Sequence, residues 1–164
     1  MLNKRLVLVL LLLVSNGVLA QKAQNGLEPS VVAGKGWGEV QLGARRGTVE
    51  AVLGKGVGEE GNKALEDVYF RDYPEIGIQV SYTNKEDRVA AIFFYNKHRD
   101  EHLVAAPVKT DKGIDWSASP QQVKDAYGKP KENYIDKSWR RMVFEGIDFR
   151  FENEVLVRIG IPGK

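Results

Sequence analysis

The chain carries one pattern twice. Residues 40–55 read V-Q-L-G-A-R-R-G-T-V-E-A-V-L-G-K, and residues 114–129 read I-D-W-S-A-S-P-Q-Q-V-K-D-A-Y-G-K. At a constant offset of 74, Val40 meets Ile114, Leu42 meets Trp116, Ala44 meets Ala118 and Val49 meets Val123. Gly54-Lys55 meets Gly128-Lys129, and both segments run on into alternating sequence around a Gly-Ile pair, Gly77-Ile78 and Gly146-Ile147. Self-similarity on this scale points to a duplicated supersecondary unit. What recurs is apolar and turn residues, so the pattern constrains architecture more than chemistry.

Local signals give each unit a helix and strands. Ser119, Pro120 and Gln122 form a capping box with proline at the first helical position. Val123, Ala126 and Tyr127 share a face, and Gly128 with Pro130 ends the helix after about two turns. The first unit keeps Val49, Val52, Leu53 and Gly54 but has Arg45 in the cap position, so Thr48 is the alternative cap. Alternation of Ile78, Val80 and Tyr82, and of Ile147, Phe149 and Phe151, predicts half-solvated antiparallel strands. Further strands are expected at about 66–71, 88–95, 140–144 and 155–161. The expected class is α+β: two tandem repeats, each a short helix on a three- to four-stranded antiparallel meander. Phe70, Tyr82, Phe93, Phe149 and Phe151 read as core.

Lys4 and Arg5, the nine apolar residues from Leu6 to Val14, and Val18-Leu19-Ala20 read as a signal peptide cleaved after Ala20. The apolar run is shorter than the about 20 residues that span a bilayer. The expected divisions are 1–20 signal, 21–35 flexible lead-in, 36–96 first repeat, 97–112 hinge and 113–164 second repeat. The chain has 24 Lys+Arg and 22 Asp+Glu, and the leader holds two of the basic residues and no acidic one. The remainder is neutral, which removes the broad basic footprint of a nucleic-acid binder. Cysteine is absent, which excludes disulfides and thiolate chemistry. An exported chain without cysteine, and without an N-x-S/T site, fits the bacterial periplasm or a released protein.

The strings G-I-D-W-S-A-S-P-Q-Q-V-K-D-A-Y-G-K-P, F-E-G-I-D-F-R-F and V-L-V-R-I resemble repeats of exported bacterial proteins of the beta-lactamase-inhibitor-like and SmpA/OmlA (outer-membrane assembly lipoprotein) type. The resemblance implies helices packed on one face of a small antiparallel sheet, with the open face binding a partner protein. Gln21 stands where a lipoprotein carries its lipidated cysteine, so a lipid anchor is not expected.

His98-Arg99-Asp100-Glu101-His102 matches H-x-x-E-H, a zinc peptidase pattern, and holds both histidines of the chain. A metal-assisted hydrolase using His98, Glu101 and His102 is therefore the alternative function. Only 62 residues follow His102, too few for the additional distant glutamate of that family, and a solvated linker is the simpler reading. Gly54-Lys55-Gly56 follows a helix instead of opening one, so it reads as a helix stop and not a phosphate loop. No catalytic residue, cofactor or metal site is assigned. The expected function is an exported, non-catalytic interaction module that recognises a protein or envelope component through its sheet face or the groove between repeats. Nucleic acid and membrane spanning are not expected, and oligomeric state is left open. Tyr, Trp and Arg anchor protein interfaces, and the candidates are Trp139, Arg140, Arg141, Tyr73 and Tyr134.

Overall fold

The computed structural model describes residues 30–58, 67–96 and 104–163. Among them the protein is mostly β: 47% strand and 16% helix, in two sheets. The strands are β1 (Ser30–Val32), β2 (Gly36–Trp37), β3 (Val40–Gln41), β4 (Val68–Tyr73), β5 (Ile78–Thr83), β6 (Val89–Tyr95), β7 (Lys109–Thr110), β8 (Glu132–Asp136), β9 (Trp139–Phe144), β10 (Ile147–Glu152) and β11 (Val155–Pro162). The helices are α1 (Arg46–Leu53) and α2 (Pro120–Tyr127), with a 3-10 turn at Pro74–Ile76. A large sheet runs β4-β5-β6-β11-β10-β9-β8, and a small one runs β3-β2-β1-β7.

The expected pair of helix-on-meander repeats is therefore corrected. The two helices are minor elements, and the strands of both segments merge into one seven-stranded sheet through β6 and β11. The physical reason is edge satisfaction. Two separate meanders would each expose β6 or β11 as an unpaired edge, and joining them removes both edges. Residues 30–35, expected as flexible lead-in, contain β1, and the described part of the expected hinge contains β7. Strands of two or three residues are too short to show a period in sequence.

Pairing is symmetric about the β6–β11 seam. The pairs Tyr73–Ile78 and Phe144–Ile147 close the two matching hairpins, β4–β5 and β9–β10. The register of β5 on β6 shifts between Ser81 and Tyr82, and that of β10 on β11 shifts between Arg150 and Phe151. These bulges fall at equivalent places. β8 extends the second half; among the described residues the matching place beside β4 holds only the isolated Val57–Asp72 bridge.

All the described buried apolar residues except Val157 form one core on one face of the large sheet. Ile78, Val80, Tyr82, Ile92, Phe94, Met142, Ile147, Phe149, Phe151, Leu156, Ile159 and Ile161 are fully buried there. Val31, Trp37 and Val40 of the small sheet, Val49 of α1 and Val123 of α2 complete it. The Trp37 and Phe94 rings meet edge-on at 5.8 Å, and Tyr127 packs on Phe144 and Phe149 at 5.5 and 5.1 Å. Each such fully buried side chain contributes about 1.5–3 kcal/mol. The capping box of α2 forms as read: Ser119 Oγ accepts from Gln122 N–H, and Gln122 Oε1 accepts from Ser119 N–H. α1 starts at Arg46 with Arg45 as an N-cap that makes no side-chain bond, so Thr48 is not the cap. Gly54 and Gly128 stop the helices with φ near +80°, donating to Glu50 and Lys124 carbonyls. No helix among the described residues is long and apolar enough to cross a membrane.

Aromatic placement differs from the sequence expectation at several positions. Phe70 lies on the face away from the core and is 44% exposed, while Trp37, Tyr69 and Tyr73 are buried. In β4 the odd residues, not Phe70, point inward, because the Val68–Thr83 to Tyr73–Ile78 register fixes the phase. A one-residue error in phase exchanges the two faces of a strand.

Candidate functional site

The face of the large sheet opposite the core carries the polar set. Cross-strand pairing arranges it in rows. One row runs Tyr134–Arg141–Arg150–Arg158–Tyr95 across β8, β9, β10, β11 and β6. The next runs Glu132–Val143–Asp148–Gly160–Phe93–Gln79–Asp72. Asp136, Trp139 and Glu152 flank the first row on its other side. Three arginines thus stand directly opposite one another on adjacent strands, which lie about 4.8 Å apart. Like charges in that position are destabilising. The fold tolerates the row because acids and rings surround it.

Asp148 is the main compensation. It is fully buried, accepting from Arg141 Nη2 at 3.0 Å and from Arg158 Nη2 at 2.9 Å. Gly160 makes room for it: a Cβ there would lie 2.8 Å from Asp148 Oδ2. The hydrogen bond that Arg141 donates to Asp148 raises the Arg141 pKa above its ordinary value, so this guanidinium stays charged. Arg150 pairs with Glu152 at 3.2 Å and lies 5.5 Å over the Trp139 ring, and Arg158 lies 5.1 Å over Phe93. The Nε atoms of Arg141, Arg150 and Arg158 are buried without a hydrogen-bond partner among the described residues. Trp139 Nε1 donates to Asp136, and the Tyr134 hydroxyl donates to Glu132, which raises the tyrosine pKa. The result is a platform on which two of the three guanidinium groups, those of Arg150 and Arg158, lie over aromatic rings. Such a surface offers N–H forks and π faces together.

The sequence candidates divide. Trp139, Arg141 and Tyr134 come together on this face. Arg140 belongs to the opposite face, paired in register with Phe151 and Ile135 and bridged to Glu154 at 3.4 Å. Tyr73 is only 4% exposed, and its hydroxyl lies 3.5 Å from that of Tyr82. His98, Glu101 and His102 lie outside the described residues. Sequence reasoning missed Asp148, Arg150 and Arg158. Their alternation marked them as the polar side of their strands, but only register shows that they are neighbours. The Lys129-Pro130-Lys131 cluster borders a shallow cleft with Lys124, Gly128 and Asn133, away from the arginine row.

No family model, no curated protein and no solved structure matches this chain.

Proposed function

We propose that the chain is an exported, non-catalytic binding module that recognises a protein of the bacterial envelope through the open face of its large sheet, centred on Arg141, Arg150 and Arg158. The carrying observation is the cross-strand arginine row bracketed by Tyr134 and Tyr95 and stacked on Trp139 and Phe93. The fold gains nothing from three adjacent like charges. Arg, Tyr and Trp are the residues that dominate interface energies when a partner desolvates them. Asp148 and Glu152 lower the net charge of the patch, so a protein surface with interspersed acids and apolar groups fits better than a polyanion, which needs uncompensated positive charge. The family resemblance noted in the sequence, with its partner-binding sheet face, points the same way, and the leader sequence supports export.

Affinity capture from envelope extract tests the reading. Arg150→Ala and Trp139→Ala leave Asp148 with both of its partners, so the sheet stays intact. Each is expected to reduce recovery of a specific partner by about tenfold, the effect of a hot-spot residue of about 1.4 kcal/mol. Phe70→Ala, on the same face but outside the row, serves as the comparison. Equal recovery by all four proteins sinks the proposal.

A further inference from the structure

We propose that β8 is a second docking edge, to which an extended, basic segment of a partner protein adds as an eighth strand. This goes beyond the arginine row and stands whether or not the row binds anything.

The two edges of the large sheet are treated differently. At β4, Val57 and Asp72 exchange backbone hydrogen bonds at 2.8 Å in both directions, and Arg71 donates to the Gly58 carbonyl. Gly56 and Gly58 let this cover lie close: a Cβ at Gly56 would sit 2.8 Å from Arg71 Cβ, and one at Gly58 would sit 2.9 Å from the Phe70 carbonyl. The β4 edge is thereby covered at its Asp72 end. At β8, all five residues are exposed, and no strand pairs its outer side among the described residues. Tyr134 is 48% and Ile135 65% exposed. Within Glu132–Asp136 there is no proline, no lysine and no register shift, three of the devices that blunt an open edge; the charges present are the acids Glu132 and Asp136.

Charge decides the occupant. A second copy is disfavoured. The antiparallel self-pairing that uses all five residues centres on Tyr134 and sets Glu132 against Asp136 of the copy at both ends. Lys131 would then face Lys137. Like charges directly opposite are destabilising. Moving the register by two leaves only three strand residues paired. On the open-face side, β8 presents acid, aromatic, acid at Glu132, Tyr134 and Asp136. On the other side it presents Asn133 and Ile135. The complementary strand carries Lys or Arg at two positions four residues apart, an aromatic between them, and a β-branched residue toward Ile135. Backbone pairing supplies affinity in this mode, and the alternating side chains supply selectivity.

The probe is the labelled peptide acetyl-Thr-Lys-Thr-Tyr-Val-Lys-Thr-amide, followed by fluorescence anisotropy, with versions N-methylated at alternate residues to block either edge of the peptide backbone. Saturable binding is expected, with slowed amide exchange at 132–136. Loss of about tenfold or more in affinity is expected with the N-methylated form that blocks the pairing edge, and with the double variant Glu132→Lys/Asp136→Lys. Phe70→Ala is expected to bind as wild type does, and near-UV circular dichroism confirms folding of each variant. Three results overturn the proposal: no saturation at millimolar peptide; full binding by both N-methylated forms; or a concentration-dependent dimer that Ile135→Lys abolishes, which would make a second copy the occupant.

Discussion

The two halves of the open face share a framework and differ in chemistry. Matched through the seam, Arg141, Arg150 and Arg158 fall where Phe70, Ser81 and Ala91 stand in the other half. Asp148 falls where Gln79 stands. On the β4–β6 side the polar groups form a hydrogen-bonded chain that ends on one carboxylate: Tyr95 Oη donates to Gln79 Oε1 at 3.2 Å, and Gln79 Nε2 donates to Asp72 at 2.7 Å. On the β9–β11 side the same positions hold alternating full charges around a buried carboxylate. The backbone serves both equally. The same backbone therefore accommodates two different polar sets, and Arg141 and Arg158 serve the charged one by pairing with buried Asp148.

The strongest way to break that comparison is Asp148→Ala. It leaves Arg141 and Arg158 without their shared acid beside Arg150, and urea denaturation is expected to show a loss of about 3 kcal/mol. Gln79→Ala, its counterpart, is expected to cost about 1 kcal/mol. Equal losses would mean that the charged half is ordinary sheet surface.

Gly160→Ala should follow, at about 1–3 kcal/mol, because its Cβ would press on the Asp148 carboxylate at 2.8 Å. Combined with Asp148→Ala the two effects should be less than additive, since the second change removes what the first collides with. Strict additivity in denaturation midpoints would show that Gly160 does not act through Asp148.

Alkaline titration probes both halves from beneath. Burial, with a hydrogen bond to Asp87, pushes Tyr69 up to about 12, and burial raises Tyr82 and Tyr73, all three on β4 or β5. Beneath the charged half the matching group is Tyr127, also raised by burial to about 12. A tyrosine whose folded pKa is raised stabilises fully below its unfolded value near 10, and that contribution disappears as pH rises through the folded value. Stability measured by denaturant is thus expected to fall between pH 10 and 12. Tyr69→Phe should flatten that slope more than a surface change such as Tyr134→Phe. An unchanged slope would show that Tyr69 is not the group responsible.

The smallest effect expected is on stability in Arg150→Ala. The half-exposed pair with Glu152 is worth little, and removal relieves repulsion, so the change should stay within about 0.5 kcal/mol. A loss of several times that size would make the row a structural feature and weaken the binding reading.

The sequence disclosed some of this design and concealed the rest for definite reasons. Ser119, Pro120, Gln122 and Gly128 act locally, so α2 was readable to its caps. The alternation of Ile147, Phe149 and Phe151 showed which side of β10 is buried. β8 was not expected, because E-N-Y-I-D, exposed on both faces, has no apolar side to show a period. β1 and β7 are held by long-range pairing, such as Val31 with Thr110, that no local window contains. Of the site, Trp139, Arg141 and Tyr134 were legible by residue type. The contributions of Arg150, Arg158 and Asp148 depend on register between strands, which a linear reading does not supply.

The seam between β6 and β11 has a consequence in time. The two strands pair residues such as Tyr95 and Arg158, far apart in the chain. As synthesis delivers the chain from its N-terminal side, β4, β5 and β6 can assemble early, but β6 then waits with a bare edge that includes Ile92 and Phe94. Only arrival of residues 155–162 closes it. During that interval the chain is open to wrong pairing with other copies, the hazard of late long-range strand contacts. Once β11 is in place, that edge of β6 is paired along its length and the hazard at the seam ends.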